Sequence, residues 1–168
     1  MPAPDAAIAK AMDLLRAAKR PVAVIGATAM RMKTPGSLCA FVERHGIPFA
    51  TTTMAKGLID EDHPLSVGCI ERAKRQVQRA FLGSADLVIG LGYDTIEVEY
   101  EAWVGSVSVL HIDIERADVD ATVNVVHEVV GDLDASVERL AALPPTRNAR
   151  PAAGALLRRA GKWRPQPG

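Results

Sequence analysis

The sequence predicts a doubly wound α/β domain with a parallel sheet of six strands, in the order 3-2-1-4-5-6, and helices on both faces. Two observations carry this prediction. The expected strands are short apolar runs that do not alternate with polar residues, which is typical of strands buried on both faces of a sheet. Amphipathic helical patterns lie between several of these runs, and such helices supply the right-handed crossovers that parallel strands require.

The first half of the chain predicts two helices and three strands. Asp5 is expected to cap the first helix, whose apolar residues recur at every third or fourth position. Thr34 is expected to cap the second helix, with Pro35 at its first position and Gly46 just past its end. The first helix is expected to begin at Asp5 and to end near residues 19–20, and the second helix is expected over 35–45. The three strands are expected over 21–26, 47–51 and 65–70.

The second half predicts two more helices and three more strands, so that the whole body reads as a Rossmann-like fold. Asp132 is expected to cap the last helix, which Pro144 and Pro145 end. The expected bounds are 72–82 for the third helix, 86–92, 107–112 and 125–130 for the strands, and 132–143 for the final helix.

Charge divides the chain into two parts. The protein has 20 lysines and arginines and 20 aspartates and glutamates, but residues 144–168 hold six cations and no acid. Residues 1–143 therefore hold 14 cations and 20 acids, a net charge of −6. An acidic body repels nucleic-acid phosphates, and Trp163 alone could stack a base in the tail, so we exclude a nucleic-acid partner. The composition predicts a folded domain over 1–143 and a basic, proline-rich linker over 144–168.

Segments that would place the protein in a membrane or outside the cell are not expected. No apolar run approaches the ~20 residues that a membrane helix needs, and the N-terminus does not resemble a secretory signal. We therefore expect a cytoplasmic protein with no membrane partner. Cys39 and Cys69 lack CxxC spacing, which predicts two free, inert thiols rather than a disulfide or a four-ligand zinc site.

A ligand crevice is expected where the strand order reverses, between the loops at 26–29 and 90–94. Glycine there lets backbone N–H groups approach a phosphate. A dinucleotide fingerprint counted from Gly26 requires glycines at positions 28 and 31, which are Thr28 and Arg31, so the GxGxxG motif is absent. Glycines that serve only tight strand-to-helix turns remain the alternative interpretation.

Acidic side chains end the fifth expected strand. Asp113 and Glu115 are placed where a carboxylate can accept hydrogen bonds from ribose hydroxyls. Solvated acids at a strand end, or a helix cap, are the alternative. His111 is more typical of a packed histidine than of a catalytic base, and no nucleophile-elbow motif is present. We therefore predict no catalytic residue.

Six motifs follow one another along the body. They are residues 19–26 (KRPVAVIG), 48–57 (PFATTTMAKG), 62–68 (DHPLSVG), 84–89 (SADLVI), 111–115 (HIDIE) and 130–132 (VGD). As an ordered set they resemble the central domain of thiamine-diphosphate enzymes, as found in acetolactate synthase large subunits and related carboligases and decarboxylases.

The resemblance implies a non-catalytic domain between a pyrimidine-binding and a diphosphate-binding domain. In that family the flanking domains bind thiamine diphosphate and magnesium, the parent acts on a 2-keto acid, and the parent is a homo-oligomer. Residues 131–133 do not form the Gly-Asp-Gly…Asn motif that holds magnesium and the diphosphate. The chain alone is therefore expected neither to bind thiamine diphosphate nor to catalyse carboligation, and to be a fragment whose tail leads toward the C-terminal domain.

The resemblance also implies where a second cofactor would bind. The family's central domain holds FAD without a redox role in acetolactate synthases, ADP in oxalyl-CoA decarboxylase, and nothing in many relatives. Carried over position by position, the contacts are Gly26, Ala27, Thr52, Thr53, Gly92, Tyr93, Asp94, Asp113 and Glu115.

Two departures from the family pattern count against FAD. Gly92 stands in place of an arginine, and residues 69–71 (CIE) stand in place of Met-His-Gly. FAD, ADP and an empty scaffolding domain stay open. A free-standing Rossmann-type protein that binds NAD or another nucleotide is the alternative function. Gly92→Val is expected to abolish nucleotide affinity and leave the fold intact.

Overall fold

One parallel sheet of six strands forms the centre of the protein. The computed structural model describes residues 1–70, 80–93, 104–119 and 121–146. The strands are β1 (Pro21–Ile25), β2 (Phe49–Thr52), β3 (Ser66–Ile70), β4 (Leu87–Leu91), β5 (Ser108–Asp113) and β6 (Val125–Val130). Their order is β3-β2-β1-β4-β5-β6, and every neighbouring pair is parallel. The predicted Rossmann-like fold and strand order are confirmed.

The central strands are apolar throughout because both of their faces are covered. Every residue of β1 and β4 is buried, and the two strands pair along their whole length, from Pro21 with Leu87 to Ile25 with Leu91. Most residues of the edge strand β6 are only half-buried. The carboxyl ends of β1, β4 and β5 therefore lie side by side at one edge of the sheet.

Three α-helices and one short helical turn lie within the described residues. They are α1 (Asp5–Ala17), a 3₁₀ turn (Ala27–Arg31), α2 (Gly36–His45) and α3 (Leu133–Ala142). Residues 80–83 are helical as well. The predicted cap of α3 is confirmed, because the Asp132 carboxylate accepts a hydrogen bond from the Ala135 N–H at 2.9 Å. Gly46 follows α2 with φ 61°, as the predicted helix end requires.

Two predicted caps are wrong, because each side chain bonds elsewhere in the fold. Asp5 lies in the first turn of α1 after Pro4 and pairs with Arg139 of α3, with 2.5 Å between nitrogen and oxygen. The Thr34 hydroxyl lies 2.7 Å from a carboxylate oxygen of Asp134, again on α3, instead of capping α2. Both side chains fasten their segments to α3.

The core consists of two layers, one on each face of the sheet. Successive residues of a strand point to opposite faces, so Ala23 and Ile25 belong to one layer while Val22 and Val24 belong to the other. The first layer contains the buried residues of α1, α2 and α3. Leu82, from the helical residues 80–83, packs in the second layer. The predicted helices on both faces account for these two layers.

The N-terminal segment packs against the start of α3. Asp132 donates its N–H to the Met1 carbonyl at 2.8 Å, and the Arg139 guanidinium donates to the Ala3 carbonyl at 2.8 Å. A Cβ on Gly131 would lie 2.5 Å from the Ala3 nitrogen, so only glycine permits this close approach.

Several predictions fall partly or wholly outside the described residues. Most of the helix predicted at 72–82 and nearly all of the linker predicted at 144–168 lie there, so the division at residue 143 stays a prediction. Asp94 lies outside them too. Within the described part of the chain, no helix combines the length and apolarity needed to cross a membrane.

Candidate functional site

A cavity of about 300 Å³ opens at the carboxyl ends of β1, β4 and β5. This crevice lies where the strand order reverses, as the sequence predicts. Four of the predicted site residues line it: Ala27, Tyr93, Asp113 and Glu115. The structure thus brings together residues from the loops after three different strands.

Backbone hydrogen bonds lock the two loops that flank the crevice to each other. Gly26 donates its N–H to the Leu91 carbonyl at 3.0 Å, and Thr28 donates to the Gly92 carbonyl at 3.0 Å. Gly92 in turn donates to the Ile112 carbonyl at 2.9 Å. These three N–H groups already have protein partners, so a phosphate could bind them only by breaking those bonds. The geometry favours the alternative interpretation, in which the glycines serve the turns.

The close contact between these loops requires a glycine at position 92. Its φ is 60°, and an added Cβ would lie 2.6 Å from the Ala29 nitrogen and 3.0 Å from the Leu133 Cδ2. Both the left-handed backbone and the lack of space exclude a larger side chain. The expectation that Gly92→Val leaves the fold intact is therefore wrong, because valine would drive the two loops apart.

The acidic residues after β5 differ in their environment. Asp113 is buried, and one of its carboxylate oxygens accepts a hydrogen bond from the Ile114 N–H at 2.6 Å. Glu115 is exposed and lines the crevice. The buried His111 donates from its Nε2 to the Glu115 carbonyl at 2.9 Å, which fixes the turn carrying both acids. Of these two acids, Glu115 is therefore the one that is accessible to a ligand.

Two arginines also line the crevice, and neither is among the site residues that the sequence predicted. Arg31 ends the 3₁₀ turn after β1, and Arg116 follows Glu115. No sequence motif indicated either arginine; Arg31 stands where the dinucleotide fingerprint, absent here, has its third glycine. The crevice therefore holds two cations that can face phosphate groups, besides three acidic residues, Asp113, Glu115 and Asp118, of which Glu115 is placed to face a ribose.

The predicted threonines do not line the crevice. Thr52 ends β2 and is fully buried, and its hydroxyl has no hydrogen-bond partner among the described residues. The Thr53 hydroxyl lies 3.5 Å from the Ile70 carbonyl, at the end of the neighbouring strand β3. The predicted residues thus divide into a group in the crevice and a pair at the β2–β3 side of the sheet.

Comparison with known proteins identifies the family. Residues 8–140 match the family described as thiamine pyrophosphate enzyme, central domain. The chain belongs to this family. The resemblance noted in the sequence is confirmed, and thiamine pyrophosphate is the same compound as thiamine diphosphate.

The similar proteins are much longer than this central domain. The acetolactate synthase large subunit of Parasynechococcus marenigrum (strain WH8102) is 31% identical over 163 residues, which are 95% of this chain and 26% of that protein. The probable acetolactate synthase large subunit of Methanococcus aeolicus is 33% identical over 128 residues, covering 74% and 21%. Oxalyl-CoA decarboxylase of Escherichia coli (strain K12) is 29% identical over 146 residues, covering 84% and 24%. The chain spans about a quarter of the length of these relatives.

The residues that line the crevice all lie within the segment that matches the central-domain family. A central domain implies flanking domains in a multidomain thiamine pyrophosphate enzyme. The crevice is formed by this chain's own loops after β1, β4 and β5. It can therefore be tested on this chain alone.

Proposed function

We propose that this chain is the scaffolding central domain of a thiamine-diphosphate-dependent carboligase or decarboxylase acting on a 2-keto acid. Thiamine diphosphate and magnesium would be held by a pyrimidine-binding and a diphosphate-binding domain on either side of it, in a homo-oligomer. The match of residues 8–140 to the central-domain family carries this proposal. The names of the similar proteins, acetolactate synthase and oxalyl-CoA decarboxylase, support the reaction class.

We further propose that the crevice binds an adenine nucleotide of the ADP type, with FAD as the alternative. Its volume of about 300 Å³ suits one nucleotide better than a dinucleotide. Arg31 and Arg116 would neutralise the phosphates, and Glu115 would accept hydrogen bonds from the ribose. Because the loop amides at Gly26 and Gly92 are engaged, side-chain charge would replace the amide cradle of a dinucleotide site.

A bound nucleotide would stabilise the folded domain. It would touch the loops after β1, β4 and β5, all of which line the crevice. A ligand that binds only the folded state stabilises it by RT ln(1 + [L]/Kd), about 2.7 kcal/mol at a concentration of one hundred times Kd. We therefore expect the nucleotide to raise the melting temperature of the domain.

Calorimetric titration of the 168-residue protein with ADP, FAD and NAD tests the nucleotide proposal. ADP is expected to bind, and Arg116→Gln and Glu115→Gln are each expected to weaken binding at least tenfold, which is about 1.4 kcal/mol. Arg16→Gln is the matched control, since Arg16 pairs with Asp13 on α1 and does not line the crevice. Failure of both ADP and FAD to bind would leave an empty scaffold. Tight NAD binding with hydride transfer would favour the free-standing alternative.

The mass of the native polypeptide tests the scaffolding proposal independently. An immunoblot of source cells with an antibody against this domain is expected to show a band several times heavier than 17.9 kDa. A band at 17.9 kDa that does not co-purify with a thiamine-diphosphate enzyme would refute the proposed role. The outcome of this experiment does not depend on whether the crevice binds a nucleotide.

A further inference from the structure

Three side chains with different metal-binding atoms converge on the outer side of α2. They are Cys39 and Glu43 of α2 and His63 of the turn that follows β2. The Cys39 Sγ, a Glu43 carboxylate oxygen and a ring nitrogen of His63 all lie within 4.8 Å of one another. None of the three lines the crevice.

Secondary structure places the three groups independently of one another. Cys39 and Glu43 are four residues apart on α2, so they share one face of the helix. His63 is held by backbone hydrogen bonds, one to the Asp60 carbonyl at 3.0 Å and one from Ser66 at 2.8 Å. Its ring also packs against the ring of Phe49, with 5.6 Å between the centroids. The cluster is thus positioned before any ligand arrives.

The Glu43 carboxylate lies between the other two side chains of the cluster. The His63 Nε2 lies 2.9 Å from a Glu43 carboxylate oxygen, and the Cys39 Sγ lies within 4.8 Å of the same carboxylate. The bond from His63 lowers the pKa of Glu43, while burial and the negative charge of Glu43 raise the pKa of Cys39. The imidazole is therefore hydrogen-bonded to the carboxylate, and the thiol lies close to both groups.

We propose that Cys39, Glu43 and His63 bind a divalent transition-metal ion, with Zn²⁺ as the expected occupant and water completing the coordination. Sulfur, imidazole nitrogen and carboxylate oxygen are the donors that zinc uses in proteins. Tetrahedral coordination at the usual bond lengths places such donors roughly 3.3–3.6 Å apart. Any separation near the 4.8 Å limit therefore has to shrink by about 1 Å, which requires rotamer changes of Cys39 and His63 as well as of the exposed Glu43.

Metal binding would break one hydrogen bond and remove one proton, and both changes lower the affinity. Leu65 donates its N–H to the His63 Nδ1 at 3.1 Å, so the proton of the neutral ring is on Nε2. Coordination through Nε2 moves that proton to Nδ1 and breaks the bond from Leu65, and the Cys39 thiol releases its proton to solvent. With three protein ligands and these losses, we expect a dissociation constant on the order of micromolar, far weaker than at four-ligand structural zinc sites.

The site would fasten the long connection after β2 to α2. His63 lies within the segment between Thr52, which ends β2, and Ser66, which begins β3. The sequence predicts that Cys39 is inert, because the two cysteines lack CxxC spacing and a structural zinc site needs four ligands. The fold supplies the missing ligands from glutamate and histidine instead, and Glu43 and His63 are 20 residues apart.

Titration of the reduced, metal-free 168-residue protein with Co²⁺ tests the proposal, because cobalt bound to a thiolate gives a charge-transfer absorption that cobalt on oxygen and nitrogen does not. We expect saturation at one equivalent and loss of the absorption when Zn²⁺ is added. Cys39→Ser should abolish the absorption, and Glu43→Gln and His63→Gln should each weaken binding at least tenfold. Cys69→Ser is the matched control, since Cys69 lies in β3 outside the cluster, and it should bind like the wild type.

A thermal-melting readout guards against misfolded variants. Zn²⁺ should raise the melting temperature of the wild type, EDTA should reverse the rise, and Glu43→Gln, whose side chain is 58% exposed, should fold but show a smaller rise. The proposal is overturned if the wild type shows no thiolate absorption, if Cys39→Ser keeps it, or if Cys69→Ser loses it. Unchanged affinity in both Glu43→Gln and His63→Gln would overturn it as well.

Discussion

Replacing Gly92 by alanine tests how the crevice loops are held together. The new Cβ would lie 2.6 Å from the Ala29 nitrogen, whereas an ordinary contact of this kind is 3.4–4 Å. The two loops would have to separate by about 0.8 Å or more, although Thr28 is hydrogen-bonded across the same contact. Close packing of this kind has no empty space into which the atoms can move.

The expected loss of stability in Gly92→Ala has two parts that can be measured separately. A non-glycine residue at positive φ costs roughly 1–2 kcal/mol, less about 0.4–1 kcal/mol gained because alanine restricts the unfolded chain. Gly105 has φ 57°, nearly the same as the 60° of Gly92, but an added Cβ there meets nothing within 4 Å. Gly105→Ala should therefore cost about 1 kcal/mol, and Gly92→Ala about 1–3 kcal/mol more because of the overpacking.

Urea unfolding of the wild type and the two variants measures this difference. The midpoint should fall slightly for Gly105→Ala and much further for Gly92→Ala, with the m-value unchanged in both. Equal destabilisation by the two substitutions would refute the reasoning, since it would mean that the contact with Ala29 contributes nothing beyond the backbone conformation.

Three further predictions concern other parts of the fold. Gly131→Ala should release the N-terminal segment from α3, because its Cβ would meet the Ala3 nitrogen at 2.5 Å, and limited proteolysis should then cleave that segment faster than in the wild type. Thr52→Val should stabilise the protein by about 1 kcal/mol in urea unfolding, since it replaces a buried, unpartnered hydroxyl with a methyl group of similar size. Burial raises the pKa of the Asp134 carboxyl, but hydrogen bonds from Thr34 and the nearby charge of Lys33 outweigh it and hold the pKa below its usual 3.8. The stabilisation is therefore present at neutral pH and lost as the pH falls through that lowered pKa; Thr34→Val should raise the pKa, as an NMR titration of the carboxyl group would show.

The sheet could be predicted from the sequence because a strand that is buried on both faces has a recognisable local pattern of apolar residues. The fully buried strands β1 and β4 are uninterrupted apolar runs, and the ends of the strands differ from the predicted bounds by only one or two residues. The caps at Asp5 and Thr34 were mispredicted because their true partners, Arg139 and Asp134, are about a hundred residues or more away in the sequence. Local patterns carry no information about such bonds.

The position of the crevice was predictable from the sequence, but only some of its lining residues were. Strand order alone places it after β1 and β4, and Asp113 and Glu115 follow from the end of β5. Arg31 and Arg116 enter it because of turn geometry, which the sequence does not encode in a recognisable motif. In the same way, the role of Gly92 depends on the close approach of Ala29, which only the folded chain reveals.

The hydrogen bonds between the loops after β1 and β4 have a consequence for the energetics of recognition. Since the Gly26, Thr28 and Gly92 amides are bonded before any ligand arrives, the crevice is preorganised and the loops lose little motion on binding. Association should therefore proceed as a single step at one rate, without a slow rearrangement, and with only a small conformational entropy penalty. If the crevice binds the nucleotide proposed above, these rigid loops would select it by shape and charge and would reject a ligand that requires them to open.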